Sequence, residues 1–168
     1  KSVGIDPSNG KELFYAKDGS YTYDFSYDDE VVCGNTRPDV EGVIGSSLNW
    51  KGFSVSLNFR YQMGADVFNE ALYSKVENIS RSDLNKNQDK RALYERWQEE
   101  GDIVRFKNIA SAETTPMSSR FVQEENVLTL ESVYLGYEFY DGWIKKLGLS
   151  SLKFQVSMRD VFRASTIR

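Results

Sequence analysis

From Phe53 to Met63 the chain alternates without a break. Phe53, Val55, Leu57, Phe59, Tyr61 and Met63 are apolar, and Ser54, Ser56, Asn58, Arg60 and Gln62 between them are polar. Successive side chains of a strand point to opposite faces, so this segment predicts a β-strand with one oily and one wet face. No helical period fits it. Ahead of it, Ile44, Leu48 and Trp50 fall on one side of a first arm and Lys51-Gly52 makes a tight turn, so 43–63 reads as a hairpin. Alternation returns at Val133, Leu135, Tyr137 and Phe139, with Ser132, Tyr134, Gly136 and Glu138 interleaved. Leu128 and Leu130 have the opposite parity, which predicts a bulge or a change of environment near Glu131. In a last strand, Leu152, Phe154, Val156 and Met158 point one way and Lys153, Gln155, Ser157 and Arg159 the other. The connection before it, 140–149, holds Asp141-Gly142 and an amphipathic turn of Trp143, Ile144 and Leu147.

The remaining segments are polar. In 1–42, Asp18-Gly19 lies between Leu13-Phe14-Tyr15 and Tyr21-Thr22-Tyr23, a hairpin signal. Tyr21, Tyr23, Phe25 and Tyr27 alternate with polar residues, which predicts one face carrying a row of rings. Segment 64–125 carries helical pieces: Phe68 with Leu72 and Leu93 with Trp97 share faces, and Gly101 reads as a helix stop. So long a stretch between strands is usually functional. Asn78-Ile79-Ser80 matches a glycosylation sequon, a pattern that arises often by chance.

Composition narrows the function classes. The chain has 168 residues, net charge −4 and pI near 5.0, which argues against a nucleic-acid surface. Mean hydropathy is −0.52, and no stretch approaches a membrane helix. A membrane barrel is compatible with both, because its signal is alternation alone. Lys1–Tyr15 has no apolar core of a signal peptide. Aromatic residues make up 14%, as where rings gather at a membrane interface. There is no His and one cysteine, Cys33, which removes Ser-His-Asp and Cys-His catalysis and nearly all zinc chemistry. Asp28-Asp29-Glu30 lacks the spaced ligands of a calcium loop, and Glu99, Glu100 and Asp102 read as a solvated helix end. No cofactor, metal or enzymatic activity is expected.

The decisive question is whether lipid or protein covers the oily face. Connections are very short at 51–52, long at 64–125 and short at 140–149, as in outer-membrane barrels with short periplasmic turns and long extracellular loops. A periplasmic 51–52 turn sends the last strand outward and leaves Arg168 outside the cell. The four strands read from the pattern cannot close a barrel, whose lower limit is about eight, and lipid does not tolerate open sheet edges. The chain is therefore expected to be part of a larger barrel.

Five stretches resemble, in order, the C-terminal part of SusC/RagA-type TonB-dependent outer-membrane transporters of Bacteroidetes. They are Gly4-Ile5-Asp6-Pro7-Ser8-Asn9-Gly10-Lys11; Asn49-Trp50-Lys51-Gly52-Phe53-Ser54-Val55-Ser56-Leu57; and Trp97-Gln98-Glu99-Glu100-Gly101-Asp102. The last two are Ser119-Arg120-Phe121-Val122 with Leu128–Tyr137, and Leu147-Gly148-Leu149-Ser150-Ser151-Leu152-Lys153. Each is weak alone, and the ordered set is specific. Glu100 stands where many relatives carry Pro. The resemblance implies an all-β fold: antiparallel strands forming the C-terminal part of a transmembrane β-barrel of about 22 strands, with a long, partly helical extracellular loop. It divides the chain into an extracellular hairpin region (1–42), a transmembrane hairpin (43–63) and the long loop (64–125). A strand pair with a periplasmic connection (126–163) and the start of a further extracellular loop (164–168) follow.

That family imports glycan or peptide fragments, is driven by TonB through a part missing here, and is lidded by a SusD-like surface lipoprotein. The resemblance implies the bacterial outer membrane, membrane lipid, and an oligosaccharide or peptide ligand. Ser54, Asn58, Arg60, Gln62, Glu138, Lys153, Gln155 and Arg159 are expected to face the lumen. Tyr94 and Trp97 are candidates for contact with ligand or lid, although packing of Trp97 beside Leu93 against the barrel is the simpler reading. A passive porin and a soluble or cell-surface β-rich binding module, with the Tyr21–Tyr27 row as its platform, are the alternatives.

Overall fold

The structure is a computed structural model that describes every residue except Ala112, Asp141 and Arg168. The Asp141-Gly142 turn and the position of Arg168 therefore lie in part outside the described residues. The chain divides into two compact units, Lys1–Asn35 with Asp66–Gln123, and Thr36–Ala65 with Glu124–Arg168.

The first unit opens with strands β1 (Ser2–Ile5), β2 (Glu12–Tyr15) and β3 (Tyr21–Thr22), a three-stranded sheet in that order. The hairpin read at Asp18-Gly19 is present, with Tyr15 opposite Tyr21. The predicted row of rings is not. The Asp24 N–H bonds the Thr22 hydroxyl at 3.0 Å and turns the chain out of the sheet. Tyr23 then donates to Asp6, and Phe25 packs edge-on against Phe14 and Tyr27, with centroids 5.7 and 5.2 Å away. Local side-chain bonds win over strand periodicity here.

A π-helical turn (Leu72–Glu77) and helix α1 (Arg91–Tyr94) follow. Phe68 belongs to a strand rather than to a helix with Leu72, yet both enter one core of Leu72, Val76, Ala92, Phe106 and Phe121. Trp97 lies beyond α1, so it does not share a helix face with Leu93, which is 62% exposed. Gly101 closes a turn, with Asp102 N–H bonded to the Glu99 carbonyl at 3.2 Å, and stops no helix.

The second unit is built on β4 (Val40–Trp50), β5 (Phe53–Phe68), β6 (Val122–Phe139) and β7 (Leu152–Ser165), in sheet order β4-β5-β6-β7. Helix α2 (Trp143–Lys146) lies between β6 and β7. The strands outrun the alternating stretches: β4 starts before 43, β5 passes 63 and β7 reaches into 164–168. Backbone pairing needs no apolar side chain, so it continues where the pattern fades. At 16 and 18 residues, β5 and β6 exceed the roughly 9–11 that a tilted strand needs to cross hydrocarbon.

Registers fix the faces. Ile44 pairs Phe59, Leu48 pairs Val55 and Trp50 pairs Phe53. Val133 pairs Met158, Leu135 pairs Val156 and Tyr137 pairs Phe154. Directly paired side chains share a face. Phe53 touches Tyr137 with centroids 4.4 Å apart, which joins the two apolar sets. Contacts from β5 to β6 descend in step, Gly52 with Glu138, Asn58 with Ser132 and Gly64 with Asn126, so the central pair is antiparallel. The predicted irregularity appears beside Glu131. Register advances from Leu130↔Phe162 to Ser132↔Arg159, which places the extra residue on β7. Asp160 takes φ 51 there. Such a bulge turns the alternation over. The turn-over is on β7; β6 keeps its alternation, so Leu128 and Leu130, with Ala164 and Phe162 opposite, lie on the face of Ser132.

Lys51 and Gly52 both have positive φ, 46 and 89, as the tightest hairpin turn requires. A Cβ on Gly52 would come within 2.6 Å of the Glu138 carbonyl oxygen. Gly52→Ala is therefore expected to cost at least about 1–2 kcal/mol, the left-handed penalty alone. Thermal unfolding of the full-length protein checks this, and an unchanged midpoint would contradict it.

Candidate functional site

Two groups of residues carry the candidate function: the polar face of the sheet and the long loop. On the sheet, Ser54, Asn58, Arg60 and Gln62 share one face, and Glu138 and Lys153 are directly paired, as are Gly136 and Gln155. Asn58 donates to the Ser132 hydroxyl at 2.9 Å, Arg60 pairs with Glu131, and Tyr134 donates to Gln155 at 3.0 Å. Arg159 lies opposite Ser132, next to the bulge. The opposite face is carbon. Leu48, Phe154 and Val156 are 65%, 61% and 64% exposed. At the end of the sheet nearest the 51–52 turn, rings gather: Phe53, Tyr137, Phe139, Phe154 and Trp143 form a chain of contacts with centroids 4.4 to 6.2 Å apart. Lys51 lies over the Trp50 ring at 5.1 Å. Aromatic girdles with a cation beside them mark the edge of hydrocarbon.

In the first unit, the motifs quoted above meet. Trp97 lies against Gly10, where an added Cβ would come within 2.6 Å of the indole. Gly10 has φ 71, so the turn needs glycine for both backbone and space. The indole N–H donates to the Pro7 carbonyl at 2.9 Å, and so does the Gly101 N–H. Asp102 accepts the Gln98 and Glu99 N–H groups, and those bonds hold its pKa below the usual carboxylate range. Tyr94, by contrast, is 75% exposed. Of the two aromatic candidates, Trp97 is engaged in holding the loop and Tyr94 is open to solvent.

Behind this lies a buried charge cluster that the sequence did not announce. Arg120 donates to Glu12 at 2.9 Å and to Glu77 at 2.7 Å; the three side chains are 11%, 7% and 0% exposed. Glu12 also accepts the hydroxyls of Ser2 and Ser118 at 2.5 and 2.6 Å, and Glu77 that of Thr115 at 2.8 Å. Burial opposes the Arg120 charge, but its hydrogen bonds to Glu77 and Glu12 more than offset it and raise its pKa. Arg96 reaches the carbonyls of Lys107 and Glu77, both at 2.9 Å, and that of Val76; burial lowers its pKa. Asn78 of the sequon is committed inside the unit: it donates to the Thr115 carbonyl at 3.2 Å and accepts the Thr115 N–H at 2.9 Å. In the sequence Glu77 stands among Ser74, Lys75, Asn78 and Ser80, where a carboxylate reads as solvated. Nothing there named its partner.

No family model matches the chain. TonB-dependent receptor P39 of Formosa agariphila is 24% identical over 157 residues, which cover 91% of this chain and 15% of that protein. TonB-dependent receptor P3 of the same organism is 24% identical over 152 residues, covering 90% and 14%. This chain thus spans about 15% of the length of these curated relatives. Among solved structures, a chain of the RagAB peptide importer in its open-open state superposes with TM-score 0.79 at 20% identity, over 98% of this chain and 18% of that one. The fold is that of a SusC/RagA-type barrel segment. A second RagAB structure, of the peptide transporter, gives TM-score 0.78 at 20% identity, over 99% and 19%. The four-stranded sheet β4-β5-β6-β7 is open, and the chain covers 18–19% of those RagAB chains.

Proposed function

We propose that the chain is a wall segment of an outer-membrane, TonB-dependent active transporter that imports oligosaccharide or peptide fragments with a SusD-like surface lipoprotein as its lid. The observation that carries this is the apolar face of β4–β7, exposed on the outer strands β4 and β7, half-exposed along most of β5 and β6, and edged by rings. Water is a poor neighbour for so large a patch, and hydrocarbon a good one. On this reading Ser54, Asn58, Arg60, Gln62, Glu138, Lys153, Gln155 and Arg159 line the lumen. Segment 64–125 lies outside the cell, where Tyr94 meets ligand or lid and Trp97 braces the loop beneath. The names of the relatives and the RagAB neighbours support the transport class. No catalytic group is proposed.

Uptake by cells carrying the full-length protein tests the reading. Removal of TonB is expected to abolish uptake, and deletion of 66–118 to impair it while the barrel remains folded. Uptake at the wild-type rate without TonB would make the protein a passive pore. Wild-type uptake after the deletion would leave the loop without a role.

A further inference from the structure

The first unit contains a cavity of about 230 Å³ that none of the foregoing uses. Its carbon wall includes Phe14, Phe25, Phe68 and Met117. Phe14 is buried beneath it, and Phe25 is held edge-on to Phe14. Drug-sized ligands occupy roughly 300–1,000 Å³, so this space suits one side chain rather than a run of sugar rings.

The polar groups around it are of two kinds. The hydroxyls are bonded within the unit: Ser118 donates to Glu12 at 2.6 Å, Ser119 accepts the Ser2 N–H at 3.0 Å, and Ser26 accepts the Asp28 N–H at 3.2 Å. The carboxylates are different. Asp29 accepts the Lys17 N–H at 2.9 Å, but among the described residues Asp24 and Glu30 have no carboxylate partner, and both are solvent-exposed. Against these three acids the described lining carries one cationic side chain, Lys1. An apolar wall beneath an acidic edge is complementary to an apolar side chain carried next to a positive charge.

We infer that this cavity is a binding site for an apolar side chain of a peptide, with Asp24 and Glu30 receiving an adjacent Lys or Arg. The inference deepens the transport reading by assigning part of the ligand preference to this site, and it rests on that reading for the ligand's arrival. Binding is nevertheless measurable apart from uptake. Cys33, exposed and on the cavity lining, supplies the reporter.

The test uses the purified full-length protein in detergent and follows alkylation of Cys33 by mass spectrometry of the fragment that contains it. Acetyl-Lys-Leu-Lys-amide is expected to slow alkylation, and acetyl-Glu-Leu-Glu-amide and acetyl-Lys-Ser-Lys-amide to leave it unchanged. Asp24→Asn with Glu30→Gln, both at exposed positions, is expected to weaken protection roughly threefold to tenfold. Met117→Lys, at another exposed position, is expected to weaken it as well. Equal protection by the acidic or serine peptide, protection unaltered by these variants, or no protection at saturating Lys-Leu-Lys peptide would overturn the site. Protection of Cys33 by a protein that supports no TonB-dependent uptake would keep the site and reject the transport reading.

Discussion

Leu57→Arg in the full-length protein is expected to destabilise the barrel by about 2–4 kcal/mol, the cost of a cation on the lipid face near the bilayer midplane. Leu57 lies in the middle of the alternating run, directly paired with Ser46 and on the face of Phe53, Val55 and Phe59. An arginine there must desolvate its charge or bend toward the interface. Ser56→Arg, one residue away on the face of Asn58 and Arg60, is expected to be far milder because its environment is polar. Unfolding of the two variants in the same lipid decides between them. Equal losses would mean that the faces are wrongly assigned, and no loss at Leu57 would mean that lipid does not cover it.

Arg120→Ala carries the second large effect, on the loop rather than the barrel. The guanidinium bridges two carboxylates whose side chains are 7% and 0% exposed. Removing one member of a buried ion pair typically costs about 3–5 kcal/mol, because the remaining charge is left without its partner. Arg120 also lies over the Phe121 ring at 4.6 Å, so packing is lost as well. Hydrogen exchange is expected to accelerate across Leu72–Glu77 and Phe106, with β4 and β7 unaffected. Arg120→Lys restores charge but not the fork that reaches both acids, and should fall between. Wild-type exchange in the alanine variant would show that the cluster does not hold the loop.

What could be read from the sequence follows from what alternation reports. Phe53–Met63 announced its strand and its faces because every side chain obeyed the same rule. The break of parity at Leu128 and Leu130 announced a change of environment beside Glu131, since β6 keeps its own alternation and places both leucines on the face of Ser132; the extra residue of the nearby bulge is on β7, near Asp160. Tyr21–Tyr27 obeyed the same rule and misled, because Asp6 and Thr22 supply side-chain bonds that a period cannot register. Leu93 and Trp97 misled in another way: their spacing is helical, but the helix ends at Tyr94 and the indole turns to Gly10 and Pro7 instead. The Glu12–Glu77–Arg120 cluster joins residues far apart in the chain, and charge alone gives no sign of burial. The quoted motifs containing Gly10, Trp97 and Arg120 were therefore informative about kinship before they were informative about contact.

The transport reading requires hydrocarbon over the face carrying Phe53, Val55, Leu57 and Phe59. A spin label moved one residue at a time from Phe53 to Met63, in the full-length protein with Cys33→Ser and reconstituted into lipid vesicles, tests it most directly. Membrane-dissolved oxygen should relax the label at the odd positions, and a water-soluble nickel complex should relax it at the even ones. Odd positions shielded from oxygen, or reached by the nickel complex as readily as the even ones, would contradict the assignment.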